Sequence, residues 1–326
     1  MTNNINPDKN IREKTFREQA MSSQKHPRLQ QFLLTGLCVG SLAIGAIACS
    51  TETETVSPAT QAEPQVSTSD NTDTVEAAER IVTLTSLSAD LVASLDVDKL
   101  VGIPGSPVIA QDSRFAAIET VSEGRGETDL EKVVALSPDL VIGAQGIHEK
   151  TLQKLEELDI DTLTVDINSW EDLSAFTITL GEKVNADPQP LLDRYDACLA
   201  DVPEKDTSSL VLVSRQPLLS PNKNSWAGDF LAKMNIQNLA ADLQGESPFD
   251  GYITLSAEKV VEANPDSLIV VDTRENLLEQ LKGEPFWSEL KATQNEQIVT
   301  TDYFGLVNPG SLVSIESACA QLKPIQ

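Results

Sequence analysis

The side chains that could do chemistry are few. The 326 residues include two histidines, three tyrosines and four cysteines. His26 lies among basic residues near the N-terminus, which leaves His148 for the body of the chain. Nucleophile–histidine–acid catalysis needs a base held against its nucleophile. His148 instead opens a polar helical stretch, HEKTLQKLEELD, where a solvated side chain is expected. No G-x-S-x-G, H-E-x-x-H or P-loop pattern occurs. A bare transition-metal ion needs several nitrogen, sulfur or carboxylate ligands to converge, whereas Tyr195, Tyr252 and Tyr303 stand in three separate segments. These counts point away from an enzyme and from a metal centre, and no cofactor is expected. Acidic residues outnumber basic ones 50 to 24, a net charge of −26, so nucleic acid, which requires a basic face, is a poor partner.

Two phrases in the chain are nearly the same. LEKVVALSPDLVIG begins at Leu130, and AEKVVEANPDSLIVVD begins at Ala257, with Glu131 and Glu258 separated by 127 residues. Solenoid repeats have periods of about 20–50 residues, so the spacing suits two similar lobes instead. Each phrase reads as a short helix stopped by proline and followed by a buried strand. Thr128-x-x-Glu131 has the form of a capping box, and Glu258 falls in the first turn after Ser256, where an acid suits the helix dipole.

The elements around these phrases alternate strand and helix. RIVTLTS, LVGIPG, DLVIGA and DTLTVD read as strands, with LSADLVASLDV, TDLEKVVAL and HEKTLQKLEELD as helices between them. Residues 79–167 therefore form a first β/α lobe with a small parallel sheet. Residues 168–204 are helical in pattern almost throughout, interrupted at Asp187-Pro188-Gln189-Pro190, and read as a stiff spacer. Residues 205–326 alternate again, from SSLVLVSR through SWAGDFLAKM, the second phrase and NEQIVTTD to a closing helix, PGSLVSIESACAQL. The fold class is α/β: two Rossmann-like lobes joined by a long rigid backbone helix.

Residues 1–48 read as an export signal. Six basic residues precede the apolar run FLLTGLCVGSLAIGAIA, which ends at Cys49. The Ala-Ile-Ala-Cys ending resembles a bacterial lipobox, which implies lipidation of Cys49 and a membrane-anchored periplasmic protein. Residues 49–78, rich in Ser, Thr, Glu and Pro, cannot bury enough apolar surface to fold and read as a tether. Without residues 1–48 the net charge is −29. Cys198 and Cys319 then remain, either as a disulfide in an oxidising compartment or as two buried thiols.

In their order and spacing, RIVTLTSLSADLVASLDVDKLVGIPG, GETDLEKVVALSPDLVIGA, SWAGDFLAKMNIQNLA, ITLSAEKVVEANPDSLIVV and FWSELKATQNEQIVTTD resemble the siderophore/cobalamin class of periplasmic binding proteins of ABC importers. The resemblance covers residues from Arg80 to the C-terminus and implies a monomer that carries a small-molecule metal chelate to an inner-membrane permease. It implies that Glu131 and Glu258, one per lobe, dock onto permease arginines. It further implies ligand contact from Arg125, in EGRGETDLE, and from Trp226, Tyr252 and Tyr303. Arg215 ends the first strand of the second lobe, where strand carboxyl ends line the crevice. Asp250 departs from the pattern of hydroxamate binders that carry Trp there. Trp170, Trp287 and Phe304 read as packing residues. A ferric hydroxamate or citrate is the expected cargo, with cobalamin, haem and a non-transport sensor role as alternatives.

Overall fold

Residues of the central strands alternate between two buried surfaces, and this alternation sets the layers. The computed structural model describes residues 77–123, 126–204, 206–273 and 276–325. The export signal, His26, Cys49, nearly all of the tether and Arg125 lie outside them. In the first lobe, β1 (Ile81–Thr83), α1 (Ser86–Asp96), β2 (Leu100–Ile103), β3 (Glu119–Thr120), α2 (Leu130–Ala135), β4 (Leu140–Ala144), α3 (Glu149–Glu156) and β5 (Asp161–Val165) follow in order. The strands pair in parallel in the order β3-β2-β1-β4-β5. α4 (Trp170–Val184) and α5 (Gln189–Leu199) follow.

The second lobe runs β6 (Ser208–Leu212), β7 (Ser214–Arg215), β8 (Leu218–Pro221), α6 (Trp226–Lys233), β9 (Gln237–Asn238), β10 (Tyr252–Leu255), α7 (Ala257–Ala263) and β11 (Ser267–Asp272). It ends with α8 (Leu277–Lys282), α9 (Lys291–Gln294), β12 (Ile298–Asp302), α10 (Tyr303–Leu306) and α11 (Leu312–Leu322). Its parallel sheet has the order β12-β11-β6-β9, beside a small antiparallel sheet β10-β8-β7.

Because successive strand side chains point to opposite faces, each sheet serves two cores. Val82 and Val141 meet Val133 of α2 and Leu152 of α3 on one face of the first sheet. Ile81 and Ile142 face the other way, into a core shared with α1, α4, α5, α6 and α11. In the second sheet Val211, Ile269 and Val271 join that same core, while Leu210, Leu268 and Val270 face α7 and α8. One continuous core therefore crosses the boundary between the lobes.

The helical spacer is two helices. It breaks at Asn185, a left-handed C-cap with φ 54°, two residues before the first of the Asp-Pro-Gln-Pro residues expected to interrupt it, and Pro188 caps the next helix. α4 is therefore the linking element. Its first residue, Trp170, donates its backbone N–H to Asp229 Oδ2 on α6 at 2.8 Å, and Glu171 pairs with Lys233 on the same helix. The indoles of Trp170 and Trp226 stack 5.3 Å apart at 9°. The closing helix α11 returns to the first lobe. Its Leu312 N–H donates to Asp90 Oδ2 of α1 at 2.7 Å, and Cys319 is disulfide-bonded to Cys198 of α5 with Cα atoms 5.8 Å apart.

Asp90 is only 2% exposed and also pairs with Arg114. Removing one partner of a buried charge pair leaves the other uncompensated. Asp90→Ala should therefore lower the free energy of unfolding by about 2–4 kcal/mol, read as a reduced urea midpoint, with the partial exposure of Arg114 keeping the loss moderate. An unchanged midpoint would mean that the two lobes do not depend on this tie.

Candidate ligand cleft

The repeated phrase has the same internal job in both copies. In both copies the buried valine, Val133 or Val260, anchors the helix. The Pro-Asp that follows ties the helix end to the start of the first strand of its lobe. Asp139 accepts from the backbone N–H groups of Glu79 and Arg80 at 2.8–3.1 Å. Asp266 accepts from Ser208 N at 2.9 Å and Ser208 Oγ at 2.7 Å and pairs with Lys291, contacts that hold its carboxyl well below the usual range.

The glutamates have no such task. The N-cap of α2 is Asp129, which accepts from Lys132 N at 3.1 Å, so the expected capping box from Thr128 is not formed. Thr128 is held in a bridge to Ser122 instead. Glu131 and Glu258 each occupy the second helical position, one residue beyond the caps' immediate neighbours, and both are exposed. The backbone N–H of Glu258 and the Ser256 hydroxyl keep the Glu258 carboxyl below its ordinary value. Glu131 has no hydrogen bond or ion pair among the described residues.

Position supports an external role. The Asp129 N–H donates to Val121 O just past β3, which puts the start of α2 at the carboxyl edge of the sheet. In the second lobe, Asp266 beyond α7 meets the first residue of β6, which puts the start of α7 toward the carboxyl edge there too. Both glutamates therefore lie on the side of their sheets where open β/α folds bind ligands.

Ligands in such folds bind where strand order reverses. In the first lobe the chain leaves β1 for β2 and β3, then crosses to β4 and β5 on the other flank. The switch point lies at the carboxyl ends of β1 and β4. The turn after β4 is tightly built: Gln145 N donates to Val165 O at 2.9 Å, His148 N to Ala144 O at 2.9 Å and Gly146 N to Glu149 Oε1 at 3.1 Å. Gly146 takes φ +72° there, a conformation that favours glycine. Ala144 N donates to His148 Nδ1 at 3.0 Å. His148 is thus half-buried rather than solvated, and burial lowers its pKa. The turn displays Ile147, 77% exposed, to solvent. Sequence reasoning did not single out Ile147; an isolated isoleucine between glycine and histidine in a polar turn was the available signal.

The second switch point lies at the carboxyl ends of β6 and β11, with β12 beside β11. Arg215 stands just beyond β6, but its guanidinium pairs with Glu284, so its charge is already engaged within the protein. Trp226 is 3% exposed. Trp170 covers one face, Phe230 leans on it at 5.5 Å, and Nε1 donates to Gly305 O at 3.1 Å. The ring expected to face a ligand is buried in the joint between lobes, because α4 supplies a flat partner for it.

Tyr252 and Tyr303 come together from segments 51 residues apart. Tyr252 opens β10 and Tyr303 follows β12 directly. Burial, and then the neighbouring Tyr303, push the Tyr252 phenol above its ordinary value of 10, so it stays protonated and able to donate. Phe304 sets its ring edge-on to Tyr303 at 5.2 Å. A phenol whose pKa is raised by folding gives stability that is full below its unfolded value and is lost as pH rises above it. The unfolding midpoint should therefore fall between about pH 9.5 and 11.5, and Tyr252→Phe should make that fall shallower. An equally steep fall in the variant would contradict the burial of this hydroxyl.

Among the described residues no group of three or more His, Cys, Asp and Glu is gathered to hold a metal ion, and no helix is long and apolar enough to cross a membrane. Residues 81–303 match the family model for periplasmic binding proteins. The chain is 26% identical over 257 residues to the vitamin B12-binding protein of Salmonella paratyphi A, covering 76% of this chain and 92% of that protein. It is 26% identical over 237 residues to the Fe(3+) dicitrate-binding periplasmic protein FecB of Escherichia coli, covering 69% and 77%. Its fold is similar to the crystal structure of an ABC transporter substrate-binding protein from Listeria monocytogenes, with a TM-score of 0.63, 20% identity and coverage of 77% and 98%.

Proposed function

Since the chain belongs to the periplasmic binding protein family, we propose that it captures a ferric chelate of the hydroxamate or citrate type between its lobes and hands it to an ABC permease. The observation that carries this reading is the pair Tyr252 and Tyr303 beside the carboxyl end of β12. A neutral phenol donates to the anionic oxygens of a chelate without the repulsion that a carboxylate would add. The relative named for Fe(3+) dicitrate supports the same choice. Arg125, which lies outside the described residues, is the cation proposed to meet the ligand. It is needed because a body as acidic as this one gives little long-range attraction to anions.

Cobalamin is the second reading. Ile147 on the first lobe and Phe249, 54% exposed, on the loop before β10 offer apolar area suited to a large and largely neutral ligand. The relative named for vitamin B12 favours it too. Haem, which usually takes an axial His or Tyr, finds poor support in His148. Its Nδ1 accepts from Ala144 N, so the neutral ring carries its proton on Nε2 and has no free lone pair. Tyr252 or Tyr303 would have to serve. The protein is proposed to work in the periplasm, lipid-anchored through Cys49, as a monomer.

Titration of the protein with ferric trihydroxamate, ferric citrate, cyanocobalamin and haemin, followed by tryptophan fluorescence and calorimetry, tests the cargo. One ferric chelate should bind saturably, and Arg125→Ala should weaken it about 10- to 100-fold, as expected for one lost charged contact. Cobalamin binding that ignores the Arg125 substitution would select the second reading.

Glu131 and Glu258 are proposed to dock onto permease cations, one contact per lobe fixing orientation. The double variant Glu131→Ala/Glu258→Ala should abolish uptake into cells while ligand affinity in solution stays unchanged. Undiminished uptake would overturn docking through these two glutamates.

A further inference from the structure

We propose that His148 is the positioning residue of the first lobe's ligand-facing turn: its neutral imidazole locks the turn that displays Ile147, and protonation releases it. The inference rests on the ligand-binding reading above and goes beyond it to regulation. Ile147, 77% exposed at a switch point, is the apolar side chain that this turn offers to a ligand. The turn that holds it is built to stay in place. Four backbone donors, from Gln145, Gly146, Ile147 and His148, are satisfied within it or by β5.

The fifth donor, Ala144 N–H, depends on the side chain of His148. It ends β4 and points at Nδ1, 3.0 Å away. An imidazole accepts there only when Nδ1 is unprotonated, so the proton sits on Nε2. Adding a second proton places an N–H at Nδ1 facing the N–H of Ala144. The hydrogen bond is lost and both donors are left without acceptors.

The base of the His148 side chain is packed closely against β4. A side chain at Gly143 would meet its Cβ at 2.9 Å and Leu152 at 3.0 Å. The titratable and charged groups on α3 and on the strands packed against it are Glu149, Lys150, Lys154, Glu156 and Asp161. Burial alone, and none of these charges, accounts for the lowered basicity of the imidazole. The sign follows: the fold prefers neutral His148, so the lock is intact above the ordinary value of 6.5 and fails as pH drops below it.

The test uses the full chain carrying His26→Gln, which leaves a single imidazole. Nitrogen-15 NMR of that ring should show an unprotonated Nδ1 and a protonated Nε2 at neutral pH. On acidification the amide signals of Ala144 and Ile147 should shift in step with the ring. Affinity for ferric trihydroxamate or cyanocobalamin, both intact in mild acid, should fall about tenfold between about pH 7.5 and about pH 5, the worth of one hydrogen bond. His148→Gln keeps an uncharged acceptor and should bind at neutral pH like the parent, with no such fall. His148→Ala should bind about tenfold more weakly than the parent at neutral pH, with no further fall on acidification.

A ring protonated on Nδ1 at neutral pH, amides that ignore its titration, or a Gln variant as acid-sensitive as the parent would each overturn the proposal. Failure of both ligands to bind at neutral pH would instead overturn the cargo reading. The ring and amide signals would still decide whether the lock exists.

Discussion

Two indoles stacked flat against each other fix the geometry of everything else. Trp170 begins the linking helix, Trp226 begins a helix of the second lobe, and their contact at 5.3 Å joins the two units through one apolar core. An aromatic pair of this kind adds about 0.5–1.5 kcal/mol beyond the area it buries. Its larger effect is directional. The N–H of Trp170 is committed to Asp229 and the Nε1 of Trp226 to Gly305, so the helix cannot roll without breaking hydrogen bonds at both ends. The distance between the two switch points is set by this joint, which favours a small closure over a wide hinge.

A second tie reinforces the first from the far end of the chain. α11 follows α10, which carries Tyr303, and is fastened to the first lobe by Asp90 and to the spacer by the disulfide and by Arg194–Glu316. The same short stretch, residues 303–312, therefore contributes to the ligand side of the second lobe and to the anchor of the first.

Much of the organisation was legible in the chain. The doubled phrase announced two lobes because each copy must solve the same problem: cover a parallel sheet with a short helix, stop it, and begin a buried strand. Val133 and Val260, Pro138 and Pro265, and Asp139 and Asp266 meet that requirement in the same way. The site was less legible. Arg215 was read from its strand-end position, yet its charge is taken up by Glu284, 69 residues further on. Trp226 was read as ligand-facing, yet its surface is consumed by a tryptophan 56 residues earlier. Neither partner is close enough in sequence to be visible there.

The sequence by itself determined what is local and periodic: strands that alternate, helices that cap, apolar faces that must be buried, and an acidic body poor in histidine. These follow from side-chain period and backbone hydrogen bonding, which act within a few residues. Tertiary structure alone decided which polar groups remain available to a ligand. Whether a tyrosine keeps its proton, which nitrogen of His148 carries one, and whether an arginine is free or paired depend on burial and on neighbours brought from elsewhere in the chain. Such groups are defined by what surrounds them in space, and the linear order of residues does not carry that information.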